Sequence, residues 1–287
     1  MLQDMLNFFT GFFLVNPTIL GWGLALLFAL IWLACYRPPM ISKPWLWAVL
    51  VGGAIMAPIA ISITTYPLGY GISKLITTFW NQQTILGWGW LISIPSILIF
   101  GLVWEGAKLV PVSIYWWRKG KDIDPKFGLL IGAVAGAGFG IILAAWTNNY
   151  FMYETSWSWQ LVQIEGLTAL SGFWESLFIL GLNIGSTALA GWGLAKGWGW
   201  KFYLIAAAIY LVTNYSTVLI NYEFVSANQA QLIISLLALI LVGVTLWLRY
   251  REQETLTKTP VKTSRKTVKK ALPRTTQTTS GKISTKK

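Results

Sequence analysis

The stretch ILGWGWLISIPSILIFGLVWEGAKLVPVSIYWW, Ile85–Trp117, decides how the chain is read. It is long and apolar enough to cross a hydrocarbon core, which needs about 20 such residues, yet it holds two charges, Glu105 and Lys108. An ionisable group inside a bilayer costs several kcal/mol unless it is paired or faces water, so by default it marks a site. Spacing i,i+3 puts both side chains on one helix face, where carboxylate and ammonium can neutralise each other. A structural ion pair and a reaction centre both satisfy that pattern.

Composition carries the membrane reading to the whole chain. Of 287 residues 55% are hydrophobic and only 11% charged, with mean hydropathy +0.58, whereas a soluble domain carries about 25% charged residues. Many of the 18 Trp end apolar runs, as in an interfacial aromatic belt. The single cysteine, Cys35, rules out an intrachain disulfide or a cysteine metal cluster. The chain has no histidine, which removes the commonest general base and zinc ligand. No metal site and no cofactor are expected, since neither a Gly-rich phosphate loop after a strand nor a Cys/His cluster is present.

Seven spans are predicted, at about 17–36, 46–66, 86–117, 127–147, 173–195, 202–220 and 230–248. The fold class is therefore an all-α polytopic membrane protein of about seven transmembrane helices. The third span is too long to stand flush with the bilayer, and a start near Trp90, a tilt, or a kink at Pro95 or Pro111 is expected. Residues 1–16 and 67–84 read as interfacial. With no Lys or Arg before Arg37, the first apolar run lacks a basic n-region and reads as a retained helix. Arg37 and Lys43, then Arg118, Lys119, Lys121 and Lys126, then Lys196 and Lys201, occupy alternate loops, while the others hold only Lys74. The positive-inside rule places the N-terminus outside and the C-terminus in the cytoplasm, in the cell membrane.

Two regions follow, a transmembrane domain over 1–248 and a basic Thr/Ser/Lys-rich tail over 249–287. The tail can build little core and is expected to be disordered. Its charge suits anionic lipid headgroups, and no nucleic acid is expected because stacking aromatics are missing. GWG recurs at Gly21–Gly23, Gly87–Gly89 and Gly191–Gly193, with GWGW at Gly197–Trp200. The irregular spacing makes these interfacial anchors, not a repeat. Gly128, Gly132, Gly136, Gly138 and Gly140 give the fourth span small faces that let helix backbones approach closely.

Measured from the basic ends, three polar residues fall at one depth. Glu105 lies thirteen residues before Arg118, Asn183 thirteen before Lys196, and Asn214 thirteen after Lys201, each roughly 20 Å from its anchor. Lys108 and Thr187 lie nearer the basic side. The layer reads either as a convergent cavity or as separate packing contacts, worth about 0.6 kcal/mol each. Glu154 and Glu165 read as solvated loop charges, with Glu175 near the far surface, either interfacial or inside an outer vestibule.

Trp104-Glu105-Gly106-Ala107-Lys108 resembles the EExxK motif of PrsW-like intramembrane peptidases, a family related to the CAAX-prenyl protease-like membrane group. The loop Asp122–Lys126, the segment Gly136-Ala137-Gly138-Phe139 and Asn148-Asn149-Tyr150 follow in an order similar to the family's second motif, a Gly-Phe with a glutamate four residues after the Phe. Asn183 to Thr187 and Asn214 fall where the family carries intramembrane histidines or polar groups. The resemblance covers about Ile85 to Leu219 and rests on motif order and helix count. Family members are proposed to activate water with glutamates and histidines, with or without a metal. Here Trp104 replaces the first glutamate, Leu143 the second-motif glutamate, and Asn the histidines, so only Glu105 and Lys108 survive.

The resemblance thus implies a degenerate member that binds a membrane peptide or lipid-like ligand in an inward-facing cavity. Glu105 and Lys108 would form the cavity's polar floor, with Asn183, Thr187 and Asn214 around it. Retained hydrolysis would need Glu105 as base for a bound water. Two other classes stay open: a transporter or channel subunit, to which midmembrane charges and glycine-rich segments also point, and a membrane scaffold or assembly factor in which the ion pair is purely structural.

Overall fold

A computed structural model describes residues 19–150 and 171–258, together with positions 3, 6, 7, 10 and 163. The interfacial reading of residues 1–16, the loop charges Glu154 and Glu165, and most of the basic tail lie outside the described residues. Among the described residues seven apolar helices follow one another: α1 Ile19–Tyr36, α2 Trp45–Phe79, α3 Gln82–Arg118, α4 Pro125–Tyr150, α5 Ser171–Ala195, α6 Gly199–Asn221 and α7 Ala227–Lys258. Among the described residues six are long and apolar enough to cross a membrane, and α1 contributes a shorter apolar helix, Gly21–Tyr36. The described residues form helices and no strands, and the chain is an integral membrane protein of the all-α class.

Burial separates central from peripheral helices. In the most apolar window of α4, 83% of residues are buried, and in α5 78%, against 6% in α3. The glycines explain this. A Cβ on Gly128, Gly132 or Gly136 would collide with the α5 backbone at Gly191, Thr187 and Asn183, and one on Gly138 would collide with the Leu50 carbonyl of α2. Without those side chains α4 lies backbone to backbone between α2 and α5, and the small-residue faces read from the sequence are packing surfaces.

Two boundaries differ from expectation. α3 does not begin near Trp90. It begins at Gln82, where the Asn81 side chain caps the first turn by accepting from the Thr84 N–H at 2.8 Å, and it continues through Pro95 and Pro111 to Arg118. α2 does not stop near residue 66. It passes through a π-helical turn at Ile59–Thr65, just after Pro58, and runs on to Phe79. Proline cannot donate to the helical ladder, and here the wider turn follows it, with the Thr65 hydroxyl donating to the Ala60 carbonyl at 2.8 Å. At about 1.5 Å per residue both helices are longer than a core roughly 30 Å thick, so the α2–α3 hairpin either tilts within it or extends beyond it.

The basic loops gather at one end of the bundle. The Lys43 ammonium lies 3.8 Å from the Phe127 ring centre, joining the α1–α2 loop to the start of α4. The Arg249 guanidinium donates to the Arg37 carbonyl at 3.4 Å, and the Tyr36 and Thr245 hydroxyls lie 2.6 Å apart, fixing α7 against α1. α7 itself continues past residue 248 to Lys258.

Candidate functional site

α3 and α5 run in the same direction, from the far end toward the basic end, which lets two i,i+3 pairs interlock. Glu105 and Lys108 project from α3, Asn183 and Ser186 from α5, at matched depths. The Lys108 ammonium donates to Glu105 Oε1 at 2.5 Å, to Asn183 Oδ1 at 3.0 Å and to Ser186 Oγ at 3.3 Å. An ammonium has three protons, and these three bonds account for all of them. Glu105 is 2% exposed and Lys108 1%. Burying two ions costs several kcal/mol each unless geometry and further hydrogen bonds offset it. The pairing, the amide and the hydroxyl supply that offset.

Glu105 retains acceptor capacity. Its oxygens accept from Lys108 and from the Ser186 hydroxyl, at 3.3 and 3.2 Å, but a carboxylate offers about four lone-pair sites. Aromatic rings wall the pair in. The Phe139 ring centre lies 5.6 Å from the Lys108 ammonium, and Trp104 packs on Phe139 and Tyr210 at 5.7 and 5.2 Å. Trp104 is itself pinned by its indole N–H, which donates to Thr65 Oγ1 at 2.8 Å in the π-helical turn of α2.

Above the pair lies a cavity of about 260 Å³ between α3, α4, α5 and α6. Of the residues singled out in the sequence, Glu105, Lys108, Asn183 and Asn214 line it. Asn214 donates to the Tyr210 carbonyl at 3.1 Å and makes no direct bond to the ion pair. Thr187 does not line the cavity. It is fully buried on the α4-facing side, with its hydroxyl on the Asn183 carbonyl at 2.8 Å. Its assignment as a cavity residue is therefore corrected: the close approach of Gly132 to α5 leaves it no access.

The direction of the cavity is corrected too. Its lining runs from the ion pair past Thr213 and Asn214 to Thr217 on α6, and past Ser176 to Glu175 near the start of α5. That is away from the basic end. Toward the basic end the lining stops at Lys108, Ser186 and Ile209, where α4 and α5 meet backbone to backbone at Gly132 and the Tyr203 hydroxyl donates across to the Leu102 carbonyl at 2.7 Å. An inward-facing cavity, opening on the basic side, is not what the helices form.

No family model, curated protein or solved structure matches this chain. The site is therefore read from its own chemistry. Among the described residues no three acidic, cysteine or histidine side chains come together to hold a metal. One carboxylate beside an ammonium, an amide and a hydroxyl does not fit the three protein ligands of a catalytic zinc site. Sequence reasoning missed Ser186, although its spacing from Asn183 repeats that of Lys108 from Glu105. It also left Glu175 undecided between the interface and an outer vestibule, because a depth ruler says nothing about which face of α5 looks inward.

Proposed function

We propose that the protein is a membrane-embedded ligand-binding protein on a scaffold resembling the PrsW-like peptidases, without their usual hydrolytic chemistry. One observation carries this reading. The positions that match the family's motifs, Trp104, Glu105, Leu143, Asn183 and Asn214, all line one cavity although they come from four helices. Separate packing contacts would have no reason to face the same space. Glu105 is engaged by Lys108 and Ser186, and among the described residues no second carboxylate bonds to it for dyad chemistry; Glu175, on the same cavity, stands near the start of α5. At the cavity wall the free capacity of Glu105, the Glu175 carboxylate and the Asn214 side-chain oxygen are acceptors, and the hydroxyls of Thr213 and Thr217 can also accept. They suit a membrane peptide or lipid-like ligand that presents N–H or O–H donors beside an apolar body. The closed basic side disfavours a through-channel.

Purification in mild detergent followed by mass spectrometry of the intact complex tests the reading. Wild type should retain a hydrophobic ligand, and Leu143→Trp, which fills the cavity from its α4 wall, should lose at least tenfold of it while keeping its melting temperature. Equal occupancy in both would remove the cavity as the binding site. Peptide cleavage abolished by Glu105→Gln would restore hydrolysis, and Glu105-dependent flux across liposomes would favour transport.

The basic end is assigned to the cytoplasm of the cell membrane, supported by the gathering of the basic loops. The cavity then faces outward. In a Cys35→Ser background, a cysteine at Lys201 should resist a membrane-impermeant thiol reagent applied to intact cells, and one at Asn81 should react. The reverse pattern would invert the assignment.

A further inference from the structure

A second cleft, unrelated to the ion-pair cavity, lies on the outer surface of the α2–α3 hairpin at its basic end. It encloses about 550 Å³. Its floor exists because Gly52 of α2 has no side chain where Pro111 of α3 packs, with Pro111 Cγ only 3.3 Å from where a Cβ would stand. Exposed Ala48, Ile55 and Ile114 form its walls. At its mouth stand Arg118 and Lys119, both exposed.

Three properties fix what fits there. First, depth: the α2 wall runs from Trp45 to Met56, about 16 Å at helical rise, which is one leaflet of a core roughly 30 Å thick. Second, charge: two cations mark the headgroup level and no acidic side chain lines the cleft. Asp122 and Asp124 sit in the following loop, exposed and outside the lining. Third, a rigid collar: Trp45 stacks on Tyr115 at 4.4 Å and 4° between planes, and the Lys119 ammonium lies 6.0 Å from the Tyr115 ring centre. Amphipathic rings of this kind sit at the headgroup boundary.

We propose that this cleft is a binding site for one anionic phospholipid, with an acyl chain laid between α2 and α3 and its headgroup phosphate held by Arg118 and Lys119. The proposal is independent of the ligand in the ion-pair cavity, because the two sites share no lining residue.

The test reconstitutes the full chain in nanodiscs of mixed phosphatidylglycerol and phosphatidylcholine, followed by delipidation and intact-complex mass spectrometry. Wild type should keep one phosphatidylglycerol. Arg118→Ser with Lys119→Ser should weaken its retention tenfold or more, since each cation near the surface favours anionic lipid. Lys126→Ser with Lys201→Ser, which removes the same charge elsewhere, should not. Ala48→Trp fills the cleft from an exposed position and should abolish retention with both cations present. Soluble glycerol phosphate should not displace the lipid. Equal retention of phosphatidylcholine, equal loss in both charge variants, or full retention in Ala48→Trp would each overturn the site.

Discussion

Replacing Glu105 with Gln, or Lys108 with Met, should each destabilise the protein by about 3–5 kcal/mol, and the double variant should recover most of that loss. The asymmetry follows from burial. The two side chains are essentially inaccessible, so a single change strands an ion away from water. Lys108→Met should be the worse. It leaves the Glu105 carboxylate with only the Ser186 hydroxyl and takes the donor from Asn183 Oδ1. Glu105→Gln leaves Lys108 its bonds to Asn183 and Ser186. Combining the changes removes both charges, and Met fills much of the volume of Lys. Thermal unfolding of the four proteins in nanodiscs gives the cycle. Near-neutral single variants would mean that water reaches the pair. A double variant no better than the singles would mean that the charges are not coupled. The double variant also separates function from scaffolding: if it folds but no longer retains the hydrophobic ligand, the pair acts in the cavity, whereas full retention would make the pair purely structural.

Much of this arrangement was legible from the residues, for identifiable reasons. Helices show in the sequence because a hydrocarbon core demands a minimum length of apolar chain. The depth of Glu105 and Asn183 was legible because basic anchors set a zero and the rise per residue is fixed. What depth leaves undetermined is rotation about the helix axis. Asn183 and Thr187 lie one turn apart and are offset by only about 40° about the axis, yet the Asn183 side chain accepts from Lys108 at the cavity, whereas Thr187 is turned to α4 with its hydroxyl on the Asn183 carbonyl. Glu175 illustrates the converse: near the far surface by the ruler, it faces inward along α5. The direction of the cavity was illegible because it depends on where α4 and α5 touch, a contact set by absent side chains. The continuation of α2 to Phe79 was not foreseen because the apolar span ends at 66, just before Pro67, which the helix accommodates in a first-turn position after the π-helical turn.

Those absent side chains set the other large effect. Gly132→Val should prevent assembly of the bundle, and Gly136→Ala should cost about 1–3 kcal/mol, the usual range for overpacking. A Cβ at Gly132 would stand 2.9 Å from Ala188 Cα, and one at Gly136 3.0 Å from Ile184 Cα, with carbonyl oxygens closer still. Both obstacles are backbone, so no rotamer change relieves them and α5 itself must move. Gly136 opposes the carbonyl of Asn183, the residue that accepts from Lys108. Its substitution should therefore also loosen the ion-pair network and reduce ligand retention, although residue 136 does not line the cavity. Gly243 in α7 is the control. It has open space where a Cβ would stand, and Gly243→Ala should be neutral or stabilising by up to about 1 kcal/mol through helix propensity. Melting temperatures of the three variants decide the matter. A Gly136→Ala protein as stable as Gly243→Ala would mean that α4 and α5 are not in backbone contact, and the closed basic side of the cavity would fall with that contact.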